Sequence, residues 1–254
     1  MTSITFEESG RRLARAIDAS VAQMVSGHSR IAVAFSGGLD SSIIAMCAKR
    51  HAGVLACSAF AEGSRDSVAT IRGATVMGID IIATRLTREA VATELKDMEP
   101  RLQTSLIDRS LWCLYSIVSR SASEGGAEII MLGQLADELF GGYAKYQETL
   151  RKVGEEEAAA MMDADVAKYQ AEGMTRDVNA CSRWLEPCFP FTGQDIIDLG
   201  RSIPITFKIR HGVRKAVLRN AAVILGVPEE LVSTPKKAAQ YSSGIQRIVS
   251  GSRF

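Results

Sequence analysis

The sequence lacks several features that mark common classes of protein. It has only five cysteines among 254 residues and no CxxC pair, so neither a zinc ribbon nor a disulfide framework is predicted. No apolar run approaches the ~20 residues that cross a membrane, and the N-terminus has no apolar segment of signal-peptide length. A net charge of +1 leaves no basic excess for nucleic acid. These absences favour a soluble, cytoplasmic protein without a membrane or nucleic-acid partner.

The composition that is present suits a folded domain with a sizeable core. Hydrophobic residues make up 46% of the chain, which is compatible with one large α/β domain or one domain with a helical extension. Cys47, Cys57 and Cys113 lie in apolar segments, so we expect buried free thiols. A short basic cluster within residues 210–219 is compatible with either a solvated helix face or a ligand-binding surface.

The first half of the chain alternates between strand and helix patterns. Short apolar runs predict the strands Ile31–Phe35, Gly53–Phe60, Ile79–Leu86 and Ala127–Leu132. Helical spacing or composition predicts the helices Glu7–Val25, Ser41–His51, Ser64–Val76, Thr87–Met98 and Arg109–Ser123, with Thr87 as an N-cap. The alternation predicts an α/β fold with a parallel sheet that is covered by helices on both faces.

The second half, after about Gly142, has helical composition. Residues Lys145–Met174 are rich in Ala, Glu, Met and Lys and predict continuous helix, and no strong strand pattern follows them. Since no low-complexity linker separates the halves, we predict one domain over residues 1–254, with an α/β core at about 28–143 and a helical extension at about 144–254 packed on it.

The segment AFSGGLDSS (34–42) follows the first predicted strand and opens the next helix. Open parallel sheets bind ligands outside the carboxyl ends of their strands, and a helix N-terminus offers N–H groups to an anion. The predicted phosphate-binding residues are Ser36, Gly37, Gly38, Ser41 and Ser42. Asp40 would repel a phosphate unless a cation lies between them, and Mg²⁺ combines carboxylate and phosphate ligands. The alternative is a glycine-rich turn between strand and helix, in which Asp40 is only a first-turn residue that the helix dipole stabilises.

Two motifs give the sequence a resemblance to a known family. SGGLDSS resembles the SGGxDS loop of PP-loop ATP pyrophosphatases, which cleave ATP between the α and β phosphates. LGQLADELFGGYAKY (132–146) resembles the block that follows a strand in asparagine synthetases, so the chain is similar to the synthetase domain of that family. The resemblance implies ATP and Mg²⁺ as cofactors, with Asp40 and Asp137 as metal ligands and Gly133 beside the nucleotide.

The resemblance extends into the helical half. DVNACSRWLEPCFPF (177–191) and RKAVLR (214–219) are similar to further family stretches. STPKKAAQYSSG (233–244) is similar to the family's late basic loop, in which a lysine stabilises charge on the pyrophosphate and the adenylate. Lys236 is the better match for that catalytic lysine, and Lys237 is the alternative.

Five more residues are expected to contact the nucleotide or the acceptor. The purine is expected near Ala34 and Phe60. Gln134 stands where bacterial synthetases carry Glu, so it can hydrogen-bond but cannot act as a base. Arg109 is expected to face the acceptor carboxylate, and Tyr143 is placed among the substrate residues.

The implied reaction is ATP-dependent formation of an amide. A carboxylate, L-aspartate by resemblance, attacks the α-phosphorus to give an acyl-adenylate and pyrophosphate, and ammonia or another amine then displaces AMP. With Thr2 after the initiator and a sheet that begins near Arg30, we expect no glutaminase domain before the synthetase domain. A separate glutaminase subunit is therefore one expected source of nitrogen.

Two other functions stay open at this point. A lactam or amide synthetase that acts on another carboxylate would be expected to carry a tyrosine–glutamate pair. A non-catalytic nucleotide-binding subunit is favoured by Gln134 and disfavoured by the intact Asp40, Asp137 and Lys236. Thiolation of tRNA is disfavoured because CxxC cysteines and a basic surface are missing. The sequence does not decide between a monomer and a homo-oligomer.

Overall fold

A parallel sheet of five strands lies at the centre of the computed structural model, which describes residues 4–64, 66–98, 105–234 and 243–251. The strands are β1 (Arg30–Ala34), β2 (Gly53–Ala61), β3 (Asp80–Leu86), β4 (Ile129–Met131) and β5 (Glu186–Cys188). Their spatial order is β3-β2-β1-β4-β5, and every neighbouring pair is parallel. Because the chain winds outward in both directions from β1, a crevice forms between the carboxyl ends of β1 and β4, where such sheets bind ligands.

Helices cover both faces of this sheet. In chain order they are α1 (Phe6–Val25), α2 (Leu39–Ala48), α3 (Asp66–Met77), α4 (Arg88–Asp97), α5 (Leu106–Glu124), α6 (Ala136–Phe140), α7 (Ala144–Lys152), α8 (Glu155–Lys168), α9 (Met174–Ser182), α10 (Gln194–Ser202), α11 (Ile205–Lys208), α12 (Ala216–Ile224), α13 (Glu229–Val232) and α14 (Ile245–Gly251). A π-helical turn (Tyr169–Gly173) joins α8 to α9, a 3₁₀ turn (Pro190–Thr192) precedes α10, and the antiparallel hairpin of β6 (Ile209–Arg210) and β7 (Val213–Arg214) precedes α12. The predicted α/β fold is confirmed.

Alternation of side chains along β1 explains the two apolar layers. Ile31 and Val33 belong to the layer that contains α1, α2 and α12, whereas Ala32 belongs to the layer that contains α4, α5 and α9. This follows from the two-residue period of a strand. All three side chains are fully buried, so the central strand is covered on both faces, as is typical of parallel sheets.

The three cysteines in apolar segments are buried thiols. Cys47, Cys57 and Cys113 are free and buried, and burial raises the pKa of each thiol to about 12. The prediction of buried free thiols is confirmed.

Within the described ranges, no helix combines the length and apolar character needed to cross a bilayer.

The boundaries agree with the sequence pattern in the first half and differ in the second. Thr87 caps α4, as predicted, by accepting a hydrogen bond from the Ala90 N–H at 3.1 Å. The predicted continuous helix 145–174 is wrong, because the chain breaks between α7 and α8 at Gly154, whose φ of 132° favours glycine. The expectation of no strand in the second half is also wrong. β5 has only three residues and contains Pro187, which a sheet tolerates at an edge.

A buried carboxylate ties α4 to α5 and to the end of α9. Glu94 is 1% exposed and accepts a hydrogen bond from the Ser116 hydroxyl at 2.6 Å. Its two oxygens lie 3.0 Å from the guanidinium groups of Arg120 and Arg183, and both guanidinium groups also lie over the ring of Trp184. The negative charge is therefore compensated by two cations from neighbouring elements.

Replacing this carboxylate should destabilise the fold. Glu94→Ala is expected to lower the free energy of unfolding by about 3 kcal/mol, because it removes the buried carboxylate that the Ser116 hydroxyl and two partly buried guanidinium groups share. Urea denaturation followed by circular dichroism measures the change. Glu148→Ala is the control, since Glu148 and Lys152 form an exposed pair, and it should cost less than about 1 kcal/mol. Equal losses in the two variants would contradict the proposed role of Glu94.

Candidate nucleotide and metal site

The chain between β1 and α2 forms a tight loop at the carboxyl end of the sheet. Gly37 has a φ of 68°, and a Cβ there would lie 3.1 Å from the Cα of Thr70, so glycine suits both the conformation and the space. The Ser41 hydroxyl accepts a hydrogen bond from the Ser36 N–H and donates one to the Gly38 carbonyl, both at 3.2 Å. Thr70 Oγ1 donates to the Ser36 carbonyl at 3.0 Å. These bonds fix the shape of the loop.

Two features of the loop suit an anion. Because α2 begins at Leu39, directly after the glycines, the unpaired N–H groups and the positive end of the helix dipole lie beside the loop. The Ser42 hydroxyl is buried and has no hydrogen-bond partner in the part of the chain that the structure describes. A buried polar group without a partner is costly, so a bound phosphate oxygen would remove an existing penalty.

A single ammonium group joins this loop to the end of β4. The Nζ of Lys215 lies 2.7 Å from both carboxylate oxygens of Asp40 and 2.8 Å from Oδ1 of Asp137. Lys215 is 3% exposed. Burial alone would lower its pKa, but the Asp137 and Asp40 charges outweigh burial, so the pKa is raised. Lys215 therefore stays protonated. The positive group that faces Asp40 in this structure is thus the ammonium of Lys215.

The space around the two carboxylates depends on glycine. A Cβ on Gly142 would lie 1.8 Å from Oδ1 of Asp137 and 2.5 Å from Cε of Lys215, and a Cβ on Gly133 would lie 3.0 Å from Cβ of Asp40. No cluster of three or more His, Cys, Asp or Glu side chains that could hold a metal ion occurs within the described ranges. Mg²⁺ commonly binds through one or two carboxylates plus substrate phosphates, and the convergent Asp40 and Asp137 fit that requirement.

Strained backbone and arginine contacts hold this arrangement. Leu135 and Lys215 have φ of 73° and 56°, a conformation that costs about 1–3 kcal/mol for a non-glycine residue and is found often at functional sites. Arg214 donates to the Gly142 carbonyl at 2.7 Å. Nε of Arg219 donates in turn to the Arg214 carbonyl at 3.1 Å. The hairpin before α12 is thereby fixed to the glycine turn that follows Asp137.

A narrow cleft lies beside the loop, where the purine was expected. Ala34 and Phe60 both line it, together with Ser58, Leu114, Tyr115 and Val118. The cleft holds about 60 Å³, far below the ~300–1,000 Å³ of most ligand pockets. A purine therefore fits only if the side chains of the walls move apart.

Gln134 lies at the end of β4 with a fixed orientation. Its amide nitrogen donates to Oδ2 of Asp177, and its Oε1 accepts a hydrogen bond from the Tyr115 hydroxyl at 3.3 Å. Because a carboxylate oxygen accepts and cannot donate, the amide cannot be reversed without losing the Asp177 bond. Tyr115 also lines the cleft, so the amide lies directly behind the wall of the expected nucleotide site.

Asp177, the partner of that amide, is fully buried in a saturated network. Its Oδ1 accepts a hydrogen bond from Nε of Arg176 at 2.8 Å, and its Oδ2 accepts one from the Tyr169 hydroxyl at 3.1 Å. Nη1 of Arg176 donates to Asp108 at 2.7 Å. Because each of these polar groups has a partner, the orientation of the amide is set by rigid neighbours.

The remaining predicted residues lie elsewhere or cannot be placed. Tyr143 donates a hydrogen bond to Glu138 at 2.7 Å, and burial raises the pKa of Glu138. Nε of Arg109, in the first turn of α5, is buried and has no hydrogen-bond partner among the described residues. Within those residues, no hydrogen bond links Tyr143 or Arg109 to the amide network behind the cleft. Lys236 and Lys237 fall outside the described residues.

Sequence reasoning missed Lys215 and Asp177 as members of this site. Both lie in stretches that resemble the family, RKAVLR and the segment that begins DVNACS. The family resemblance of these stretches was the only sequence signal for the two residues. It could not show which basic residue of RKAVLR pairs with Asp40 and Asp137, because only the fold shows which side chain reaches the two carboxylates.

Comparison with known proteins finds relatives over nearly the whole chain. A family model described as asparagine synthase matches residues 12–185 and 151–250. A protein of Methanocaldococcus jannaschii, named as a putative glutamine-hydrolysing asparagine synthetase 1, is 28% identical, and the aligned region covers 98% of this chain and 52% of that protein.

Two further relatives carry different names. Carboxyethyl-arginine beta-lactam-synthase of Streptomyces clavuligerus is 27% identical, with 90% of this chain and 44% of that protein aligned. Asparagine synthetase domain-containing protein 1 of Gallus gallus is 28% identical, with 62% of this chain and 28% of that protein aligned. The chain spans about half the length, or less, of the curated relatives that it matches.

The glycine beside Asp137 offers a test of the site's geometry. Gly142→Ala should lower the free energy of unfolding by about 2 kcal/mol, because an inserted methyl group forces its neighbours to move. Chemical denaturation measures the change. Gly193→Ala is the matched control, since Gly193 has a φ of −61° and no described atom lies within 4 Å of the position that the added methyl group would take. If both variants are equally stable, the described packing of Asp137 and Lys215 is wrong.

Proposed function

Because the chain belongs to the asparagine synthase family, we propose that it is an ATP-dependent ligase that forms an amide bond and releases AMP and pyrophosphate. The observation that carries the proposal is the meeting of Asp40 and Asp137 at the buried ammonium of Lys215, beside a loop of glycines and serines. Two convergent carboxylates that can hold Mg²⁺, beside the positive end of a helix, suit a reaction in which charge develops on a leaving phosphate group. We propose that residues 1–254 act as one synthetase unit.

In the proposed first step, a carboxylate oxygen of the acceptor attacks the α-phosphorus of ATP. A new carboxyl O–P bond forms while the bond from the α-phosphorus to the bridging oxygen breaks, and its electron pair leaves with pyrophosphate. The ammonium group of Lys215 supplies positive charge close to that leaving group. The proposed pyrophosphate ligands are Ser36, Gly37, Gly38, Ser41 and Ser42, with Gly133 beside the nucleotide and with Ala34 and Phe60 next to the purine.

Asp40 and Asp137 are the proposed magnesium ligands. Mg²⁺, when bound, would neutralise charge on the phosphates. Since the ammonium of Lys215 offsets only one of the two negative charges, a net negative charge is left for the metal, and we expect the oxygen atoms of ATP to supply its further ligands.

Lys236 is proposed as a second positive group toward the reacting phosphates, with Lys237 as the alternative. The family resemblance of residues 233–244 supports this role. Ser243, the first described residue after that stretch, lines the nucleotide cleft, and its carbonyl accepts a hydrogen bond from the Ala61 N–H at 2.8 Å.

In the proposed second step, an amine nitrogen attacks the acyl carbon. The acyl C–O bond breaks, AMP leaves with its electron pair, and the nitrogen loses a proton. Gln134 is proposed to orient the amine through hydrogen bonds but cannot take the proton, so the proton passes to the phosphate of the departing AMP or to water. L-Aspartate is the proposed acceptor, with Arg109 and Tyr143 as its proposed contacts. Ammonia from solution or from a separate glutaminase in the cytoplasm is the proposed nitrogen donor.

A second candidate is closure of a lactam or formation of an amide on another carboxylate. The lactam-synthase relative supports it, and so does the hydrogen bond between Tyr143 and Glu138, a pair of the kind expected in that class. Glu138, however, lines a cavity other than the nucleotide cleft. We therefore rank this function second.

A product assay tests the proposed reaction. With Mg-ATP, L-aspartate and ammonium ion, we expect AMP and pyrophosphate in equal amounts, measured by chromatography and a coupled pyrophosphate assay. Asp40→Ala removes one of the two proposed magnesium ligands and should lower the rate by at least about a hundredfold, the scale seen when one electrostatic group of an active site is lost. Asp195→Ala is the control, because Asp195 is exposed on α10, and it should retain the wild-type rate.

Several results would decide against the proposal. ADP as the product would exclude cleavage between the α and β phosphates. An unchanged rate in Asp40→Ala would exclude its role at the phosphates. Turnover with another carboxylate, but not with aspartate, would keep the AMP-forming chemistry and favour the second candidate.

A further inference from the structure

A separate cavity lies between α6, α8, α10 and α11. Its volume is about 280 Å³, close to the ~300 Å³ lower end of small-molecule pockets. Much of its wall is apolar and comes from Leu139, Met162, Val166, Ile203 and Ile205. The cavity therefore has room for a molecule of about amino-acid size with an apolar body.

The wall also carries a buried lysine at the end of α11. Lys208 is 7% exposed, and its ammonium has no hydrogen-bond or ion-pair partner among the residues that the structure describes. Burial lowers its pKa to about 8, an effect that the charge of Asp163 opposes and that of Arg201 reinforces, so the group is still mostly protonated at neutral pH. A buried charge without a partner is costly, and a bound anion would offset that cost.

Carboxylates stand on the exposed side of the same cavity. Glu155 and Glu156, in the first turn of α8, line it, and neither has an ion-pair partner in the described ranges. Asp163 also lines it, but its charge is balanced by Arg201 at 3.0 Å, and Glu138 lines it with its carboxyl group hydrogen-bonded to the Tyr143 hydroxyl. The cavity thus combines a buried cation, apolar walls and an acidic rim.

We propose that this cavity binds a free amino acid with an apolar side chain, whose carboxylate pairs with Lys208 and whose ammonium lies near Glu155 and Glu156. A fatty acid would satisfy Lys208 but would leave the acidic rim without a partner. A diamine would suit the rim but would be repelled by the buried ammonium. Only a molecule with both charges and an apolar body matches all three surfaces. This site is independent of the proposed ligase reaction.

Equilibrium binding without ATP tests the proposal. The common apolar amino acids are titrated singly into the full chain by calorimetry, and we expect at least one to bind with a Kd in the millimolar range or tighter. Lys208→Met, which keeps the apolar stem, should weaken that binding at least about tenfold. Lys152→Met is the control, because Lys152 is exposed and paired with Glu148, and it should bind as the wild type does.

A change in the ligand tests the role of its carboxylate with the wild-type protein. The carboxamide of the same amino acid lacks the negative charge and should bind the wild type at least about tenfold more weakly. The proposal is overturned if no apolar amino acid binds, if the carboxamide binds equally well, or if Lys208→Met keeps full affinity.

Discussion

The buried ammonium of Lys215 is the interaction on which the rest of the site depends. It brings together a carboxylate from the first turn of α2, after β1, and one from the first turn of α6, after β4, although it lies far along the chain from both. Without it, two acids would face each other in a buried place, and removing one partner of such a group typically costs about 3–5 kcal/mol. The left-handed backbone at Leu135 and Lys215 is the strain that this arrangement requires.

The amide network behind the nucleotide cleft shows a different solution to burial. The Asp177 carboxylate accepts hydrogen bonds from Gln134, Tyr169 and Arg176, and the Arg176 guanidinium compensates its charge. It therefore needs no ligand as a partner. The network therefore positions Gln134 but offers no obvious base. Around Lys215, by contrast, charge is concentrated beside a loop that holds a buried hydroxyl without a partner among the described residues. This difference is why we assign phosphate chemistry to the loop side and acceptor orientation to the amide side.

Sequence patterns predicted the parts of the site that local chemistry and topology determine. Asp40 and Asp137 could be expected to meet, because the carboxyl ends of neighbouring parallel strands share one edge of the sheet. Lys215 could not be identified, since its reach depends on a two-stranded hairpin and on a backbone conformation unusual for lysine. β5 was missed because three residues with a central proline carry no strand periodicity. The break at Gly154 was missed because the flanking residues favour helix.

The exchange of labelled pyrophosphate into ATP tests most directly whether pyrophosphate departs in a first step that the acceptor carboxylate drives, as the chemistry assigned to the Asp40–Lys215–Asp137 group requires. The reaction is run with Mg-ATP and the acceptor carboxylate but without any amine, so that only the first step can occur and reverse. We expect label to enter ATP only when the carboxylate is present. Consumption of ATP without any entry of label, or entry of label that does not depend on the carboxylate, would contradict the assignment.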